Sequence, residues 1–265
     1  MAVAGGSFVV LLAIAAFLWP LLSRYGYEEQ DLALGARPPS AAHWMGTDYL
    51  GRDLLVRILC GCQISLAVGL IAAMVSLVIG TVYGALAGYQ GGRTDGVMMR
   101  VVDILYVLPY MFMVILLVIL FGQSILLLFV AMGAVQWLST ARIVRGQVLS
   151  LKEKEFVLAA RAAGTGPMGI VFRHLIPNCL GPIVVYFSLT VPQVILQEAF
   201  LSYLGLGVQA PRPSLGALIN QGAAHMDVYP WELLFPALVM ALLLFSLNFL
   251  GDGLRDALDP QMKRA

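Results

Sequence analysis

Residues able to do covalent or metal chemistry are few in this chain, and they do not gather. The three histidines, His43, His174 and His225, are far apart and fall in loops or at helix ends. The cysteines are Cys60, Cys62 and Cys179. The C-x-C pair is too tight for zinc spacing and has no histidine beside it, so all three read as small packing residues. Neither G-x-S-x-G nor H-E-x-x-H occurs. A phosphate cradle needs a glycine-rich turn followed by Lys-Ser/Thr. The only lysines are Lys152, Lys154 and Lys263, and none precedes Ser or Thr. No catalytic, cofactor-binding or metal-binding residue is assigned to the chain.

The elements that would position any polar group are apolar. The 265 residues are 60% hydrophobic and only 12% charged, with mean hydropathy +0.87, whereas a soluble domain carries roughly 25% charged residues. The solvent for most of this chain is lipid. The net charge of +1 leaves no basic field for nucleic acid. A bilayer-crossing helix takes about 20 apolar residues. Six stretches qualify, at about 6–22, 64–89, 101–121, 125–144, 180–204 and 233–250. The expected fold is an all-α integral membrane protein of about six spans. It forms one transmembrane domain over 1–265, with an N-terminal helix at 6–22, a core at 64–251 and a loop at 150–177. The first span lacks a basic n-region and an A-x-A site, so it reads as a retained helix rather than a signal peptide. Its six-residue start suggests a missing or clipped cytoplasmic tail.

Orientation follows from Lys and Arg. One side receives eleven, namely Arg93, Arg100, Arg142, Arg145, Lys152, Lys154, Arg161, Arg173, Arg255, Lys263 and Arg264. The other receives five, Arg24, Arg37, Arg52, Arg57 and Arg212. The eleven-charge side, with both termini, is expected in the cytoplasm. Loops at about 23–63 and 205–231 would then face outward. There Trp44, Tyr49 and Trp231 suit interfacial anchoring or the docking of a partner.

Within the spans, Gly80, Gly84 and Gly88 recur every four residues and predict a close helix–helix seam. Pro182 and Pro192 permit a bend in the fifth span. Polar groups within spans are weighed one by one, because a central charge costs about 2.5–3.5 kcal/mol; Glu198, near the outer end of the fifth span, and Gln197, with Gln193 and Gln136, are candidates for a pathway or gate. For Glu198 a tie to a neighbouring subunit or to interfacial water stays equally open. The glutamines and Asn248 would equally serve as interhelical hydrogen bonds. Asp103 is expected to pair with Arg100, one turn away.

The loop 150–177 is the most structured of the connections. Ser150 and Glu153 fit a capping box. A short helix then carries Phe156, Ala159, Ala160 and Ala163, Gly164 fits its C-terminal cap, and Pro167 opens a second helix that ends before Pro177. The result is a helix–turn–helix knob with basic residues around an alanine-rich face. It suits insertion into a cleft on a soluble partner, or a position on the lipid surface.

Leu158-Ala159-Ala160, Gly164 and His174-Leu175-Ile176-Pro177 resemble the EAA signature of ABC importer membrane subunits. Leu158 stands at the signature's Glu position and His174 at its first Ile position, and Glu155 lies one turn upstream as a substitute acid. His43-Trp44-Met45-Gly46-Thr47-Asp48 with Gly51-Arg52-Asp53 resembles the second permease subunit of peptide importers. The tail Gly251-Asp252-Gly253-Leu254-Arg255-Asp256-Ala257-Leu258-Asp259-Pro260 is similar to that subfamily's ending. Ser202-Tyr203-Leu204-Gly205-Leu206-Gly207 and Tyr229-Pro230-Trp231-Glu232-Leu233-Leu234-Phe235-Pro236 resemble oligopeptide permeases in particular; dipeptide and nickel permeases share the first three patterns.

The resemblance implies a type I ABC importer fold in the bacterial inner membrane. It implies coupling to an ATPase through Glu155, Ala159, Ala160, Arg161, Gly164 and Pro177. It also implies a homologous second permease subunit, two cytoplasmic ATPase subunits that bind the ATP and Mg, and an extracytoplasmic solute-binding protein that delivers peptide. Imported dipeptides or nickel chelates fit the same fold. A stand-alone secondary transporter would instead show several charges deep in its spans and no docking knob.

Overall fold

A computed structural model describes residues 1–122 and 124–258, and the residues Asp259, Pro260, Lys263 and Arg264 invoked above lie outside that range. Among the described residues the chain is helical, with a single isolated β-bridge between Thr47 and Asp53. Five helices are long and apolar enough to cross a membrane: α1 (Ala2–Leu22), α2 (Leu54–Gln90), α5 (Ile125–Leu151), α9 (Leu180–Tyr203) and α11 (Pro230–Leu258). Between them lie α3 (Gly92–Val107), α4 (Tyr110–Phe121), α6 (Glu155–Ala162), α7 (Pro167–Gly169), a π-helical turn Ile170–Leu175, α8 (Ile176–Asn178) and α10 (Leu215–Ala224).

Three expectations fail for identifiable reasons. The second helix begins at Leu54, ten residues earlier than its apolar run, because Asp53 caps it by accepting from the Val56 amide at 2.9 Å. At 37 residues it is about 55 Å long, well beyond the roughly 30 Å of a hydrocarbon layer. The third span is not one rod: α3 and α4 meet at 85°. Pro109 disfavours helical backbone at Leu108, which sits at φ −72°, ψ 132°. The loop at 205–231 is not all loop, since α10 occupies 215–224 and is capped by Ser214, which accepts from the Ala217 amide at 3.2 Å.

The glycine seam forms as expected, between α2 and α5. A β-carbon at Gly80 would stand 2.8 Å from the Trp137 carbonyl oxygen, one at Gly88 would stand 3.0 Å from that of Arg145, and one at Gly84 would press on the Ala141 carbonyl. Gly133 returns the favour from α5, where a β-carbon would sit 2.8 Å from the Ala72 carbonyl oxygen. Ser76 and Thr140 hydrogen-bond across the same contact at 3.0 Å. In lipid no hydrophobic force draws helices together, so close backbone approach of this kind supplies the adhesion. The helix α9 also packs on α2, through Ile195 and Val191 against Gly69. The N-terminal α1 lies against α11 and α2, with Ala16 buried in their shared cluster.

Gly84→Ala should therefore destabilise the protein by about 1–3 kcal/mol through overpacking against backbone that cannot yield. Gly146→Ala, in open space on the same α5, should be neutral or stabilising. Thermal unfolding of the two purified variants in one detergent compares them. Equal melting temperatures would remove the seam from this account.

Candidate functional site

The knob is built from α6 onward. The capping box is absent, because α5 runs on to Leu151 and keeps Ser150 inside it, where its hydroxyl donates to the Gln147 carbonyl at 2.8 Å. Lys154 occupies the N-cap of α6 instead. The C-terminal cap is as expected. Gly164 adopts φ +82°, its amide donates to the Arg161 carbonyl at 3.0 Å, and the Thr165 amide donates to that of Ala160 at 3.0 Å. That pair of bonds is a Schellman cap. Pro167 then opens the return helix.

The return helix does not stop before Pro177 as expected. It widens into the π turn Ile170–Leu175 and continues through Ile176–Asn178. The wider turn relieves the clash that a proline ring makes with the carbonyl four residues earlier in an α-helix. Asn178 then donates to the His174 carbonyl at 2.6 Å.

One face of the knob is locked to the bundle. Val157, Ile170, Val171 and Leu175 are buried with Ala85 of α2 and Val144 and Val148 of α5. Ala160 is buried too, rather than facing outward as expected. Burial pushes the thiol of Cys179, in the same cluster, up to about 11. The other face is open: Glu155, Phe156, Leu158, Ala159, Ala163, Met168, Phe172 and Pro177 are exposed. The Arg161 guanidinium lies 5.5 Å from the ring centre of Tyr89. Two further ties join this end of α5 to its neighbours. Arg145 grips Asp95 of α3 through both carboxylate oxygens at 2.6 Å, and the Lys152 ammonium donates to the Gly88 carbonyl at 3.1 Å.

A cleft of about 480 Å³ opens midway along α5 and α9, lined by Gln136, Gln193, Gln197, Ser139, Tyr186 and the Leu105–Tyr110 break. The structure thus brings together three of the four residues singled out as pathway or gate candidates. Glu198 stands apart. It is 0% exposed and accepts from Ser202 at 2.6 Å and Ser65 at 3.3 Å. Ser65 in turn accepts from the Leu215 amide at 3.3 Å. Glu198 ties α2, α9 and α10 together and does not reach the cleft, because adjacent residues on a helix point about 100° apart. Asp103 pairs with Arg142 at 2.8 Å, not with Arg100. The same guanidinium lies 4.1 Å from the ring centre of Tyr106 at the cleft's edge. Asn248 donates to the Leu244 carbonyl within its own helix at 2.8 Å.

At the opposite end of α2, the segment His43–Asp53 folds into a clasp. Gly46 and Gly51, at φ +80° and +74°, turn the chain so that Asp48 accepts from the Leu50 and Arg52 amides at 3.0 Å and from the Arg52 Nε at 2.8 Å. Arg57, 2% exposed, donates to the same carboxylate and reaches Gln221 of α10 at 3.2 Å. His43 meets Asp53 at 2.8 Å, and the Trp231 indole donates to the Thr47 carbonyl at 3.1 Å. Arg57 and Gln221 were not singled out from sequence. The N-cap signal of Asp53 ahead of an apolar run would have placed Arg57 on the first turn of α2.

A bundle of lipid-compatible helices, interrupted beside a polar cleft and carrying an anchored knob with an open apolar face, defines a multi-pass membrane protein. Residues 77–264 match the profile of the family described as binding-protein-dependent transport system inner membrane component, and the chain belongs to that family. It is 56% identical over 262 residues to the oligopeptide transport system permease protein OppC of Escherichia coli K12, covering 98% of this chain and 87% of that one. Against the protein of the same name from Haemophilus influenzae the identity is 53%, covering 96% and 81%, and against that of Bacillus subtilis it is 45%, covering 100% and 87%. A solved structure of the MetNI methionine ABC transporter in an inward-facing conformation superposes with a TM-score of 0.62 at 21% identity, covering 78% of this chain and 96% of that one. The fold is that of type I ABC importer permeases.

Asp48→Ala should cost about 3–5 kcal/mol, because it strands buried Arg57 without its counter-charge. The loss reads out as a lower melting temperature of the purified protein. Unchanged melting would show that the clasp contributes no stability.

Proposed function

We propose that this chain is the membrane subunit of an ATP-driven importer of oligopeptides. It pairs with a homologous second permease subunit in the bacterial inner membrane, with both termini and the knob in the cytoplasm. A separate pair of ATPase subunits binds ATP and Mg and receives the knob. A solute-binding protein delivers peptide at the clasp end. The relatives named for oligopeptide transport reach 53–56% identity, which favours oligopeptides over shorter substrates.

The observation that carries this reading is the two-faced knob. Its inner face is packed against α2 and α5, so displacement of the knob displaces those helices with it. Its outer face presents Phe156, Leu158, Met168 and Phe172 unpartnered. Exposed apolar side chains clustered on a projecting element, rimmed by Glu155 and Arg161, are the mark of a docking surface. Nucleotide binding in the partner moves the knob, the seam transmits that motion, and the pathway changes the side to which it is open. The two states must lie within a few kcal/mol for ligands to shift them.

Gly164→Val tests the coupling. Nothing crowds the glycine, so its replacement acts only through the left-handed backbone, at roughly 1–2 kcal/mol. In proteoliposomes holding the complete complex, peptide uptake should fall well below the wild-type rate while ATP hydrolysis continues. Gly164→Asn, which tolerates that backbone, should retain more uptake. Wild-type uptake by the valine variant would refute the coupling role.

A further inference from the structure

We infer that the cleft at the Leu108–Pro109 break is a solute subsite that recognises the main-chain amides of an extended peptide rather than its side chains or its charge. The inference rests on the peptide-import reading above and deepens it.

Three carboxamides, Gln136, Gln193 and Gln197, converge on one cleft midway along two apolar helices. Each has an oxygen acceptor and two N–H donors. Among the described residues none of the three has a hydrogen-bond partner within the protein, although other polar side chains in the spans do, such as Ser76 with Thr140 at 3.0 Å and Asn248 with Leu244 at 2.8 Å. The Gln197 oxygen is fully enclosed and unpartnered. Leaving a neutral polar group unsatisfied away from water costs roughly 1–3 kcal/mol. Here the Gln197 oxygen bears that cost, while Gln136, half-buried, and Gln193, exposed, line the open cleft where a solute can reach them.

The backbone adds to the same chemistry. At the Leu108–Pro109 break α3 ends and α4 begins, so the last carbonyls of one helix and the first amides of the next lack helical partners. Non-helical backbone at membrane depth is tolerated where it lines a cavity, and secondary transporters build substrate sites from interrupted helices of this kind. Here the interruption and the glutamines line the same 480 Å³.

Charge is absent from the lining, whose polar side chains are carboxamides and hydroxyls. Arg142 approaches the rim, but it is held by Asp103 and the Tyr106 face. A site of neutral donors and acceptors matches what every peptide presents in common, the alternating N–H and C=O of its main chain. It offers a cationic or anionic side chain neither a counter-ion nor a repulsion, so one pathway serves peptides of either sign.

The test uses the complete complex in proteoliposomes, with the binding protein saturated and a tetra-alanine probe. Its analogue carries N-methyl groups at the internal peptide bonds and so lacks those donors. The binding protein's own preference for either peptide is common to all variants and cancels in the ratio. In the wild type, N-methylation should slow maximal uptake. In Gln136→Leu/Gln193→Leu, uptake of the unmodified probe should fall about tenfold, the loss of roughly two neutral hydrogen bonds, and the N-methyl penalty should largely vanish.

Tetrapeptides with a central Lys or Glu should lose equally. Asn248→Leu, which removes a carboxamide away from the cleft, should leave both rates unchanged. An unaltered N-methyl penalty in the double variant, or a loss confined to one charge type, overturns the inference. A wild-type complex that carries no peptide at all would sink the import reading instead.

Discussion

Backbone contact between α2 and α5 is the constraint on which the rest depends. Gly80, Gly84, Gly88 and Gly133 let the two helices touch without side chains between them, and Ser76–Thr140 pins their relative height. Because α2 is about 55 Å long, one rod connects the clasp, the seam and the knob. Its N-cap and first turn carry Asp53 and Arg57 of the clasp, its second half from Ala72 to Gly88 forms the seam, and Ala85 within that stretch packs on the knob. Its partner α5 carries Gln136 to the cleft and Val144 and Val148 to the knob. A seam that could slide would separate knob from cleft; a seam of interlocked backbones cannot slide without unpacking.

The polar ties differ in burial, and so in what they can do. The Asp48 cluster is enclosed, so breaking it would strand charge, and it fixes the clasp on α10 permanently. The Arg142–Asp103 pair has side chains 40% and 53% exposed, where such a pair is worth about 0–1 kcal/mol. A contact that weak can open and close within a working cycle, and it holds the wall of the cleft that contains the helix break. Glu198 belongs with the enclosed ties: its serine partners on α2 and α9 make it a fastener between helices rather than a gate.

What the sequence disclosed was local. The four-residue glycine period predicts a seam because a helix repeats at that spacing, and Gly164 with Pro167 predicts a turn because one tolerates left-handed backbone and the other starts a helix. Five of the six apolar runs form spanning helices, and the sixth is the bent pair α3 and α4. What stayed hidden was pairing between distant residues. Asp103 has Arg100 one turn away, yet its partner is Arg142, and Glu198 finds Ser65 133 positions away. Two local signals were also outweighed by hydropathy. Pro109 lies inside an apolar run and still breaks it, and Asp53 starts α2 ten residues before the run begins. Ser150 and Pro177 show the reverse, strong local signals overridden because α5 extends through the first and a π turn accommodates the second.

The central claim is that the knob and the seam move as one body while the cleft changes shape. Paired spin labels at Met168 and Gly146 report knob against α5, and a pair at Val107, on the cleft wall, and Val184 reports α3 against α9. Pulsed electron–electron resonance on the complete complex, without nucleotide and then trapped with ATP, should give one unchanged distance for the first pair and a shifted distance for the second. A shift between Met168 and Gly146 with none between Val107 and Val184 would contradict the account, because the knob would then be hinged on the bundle rather than fixed to it.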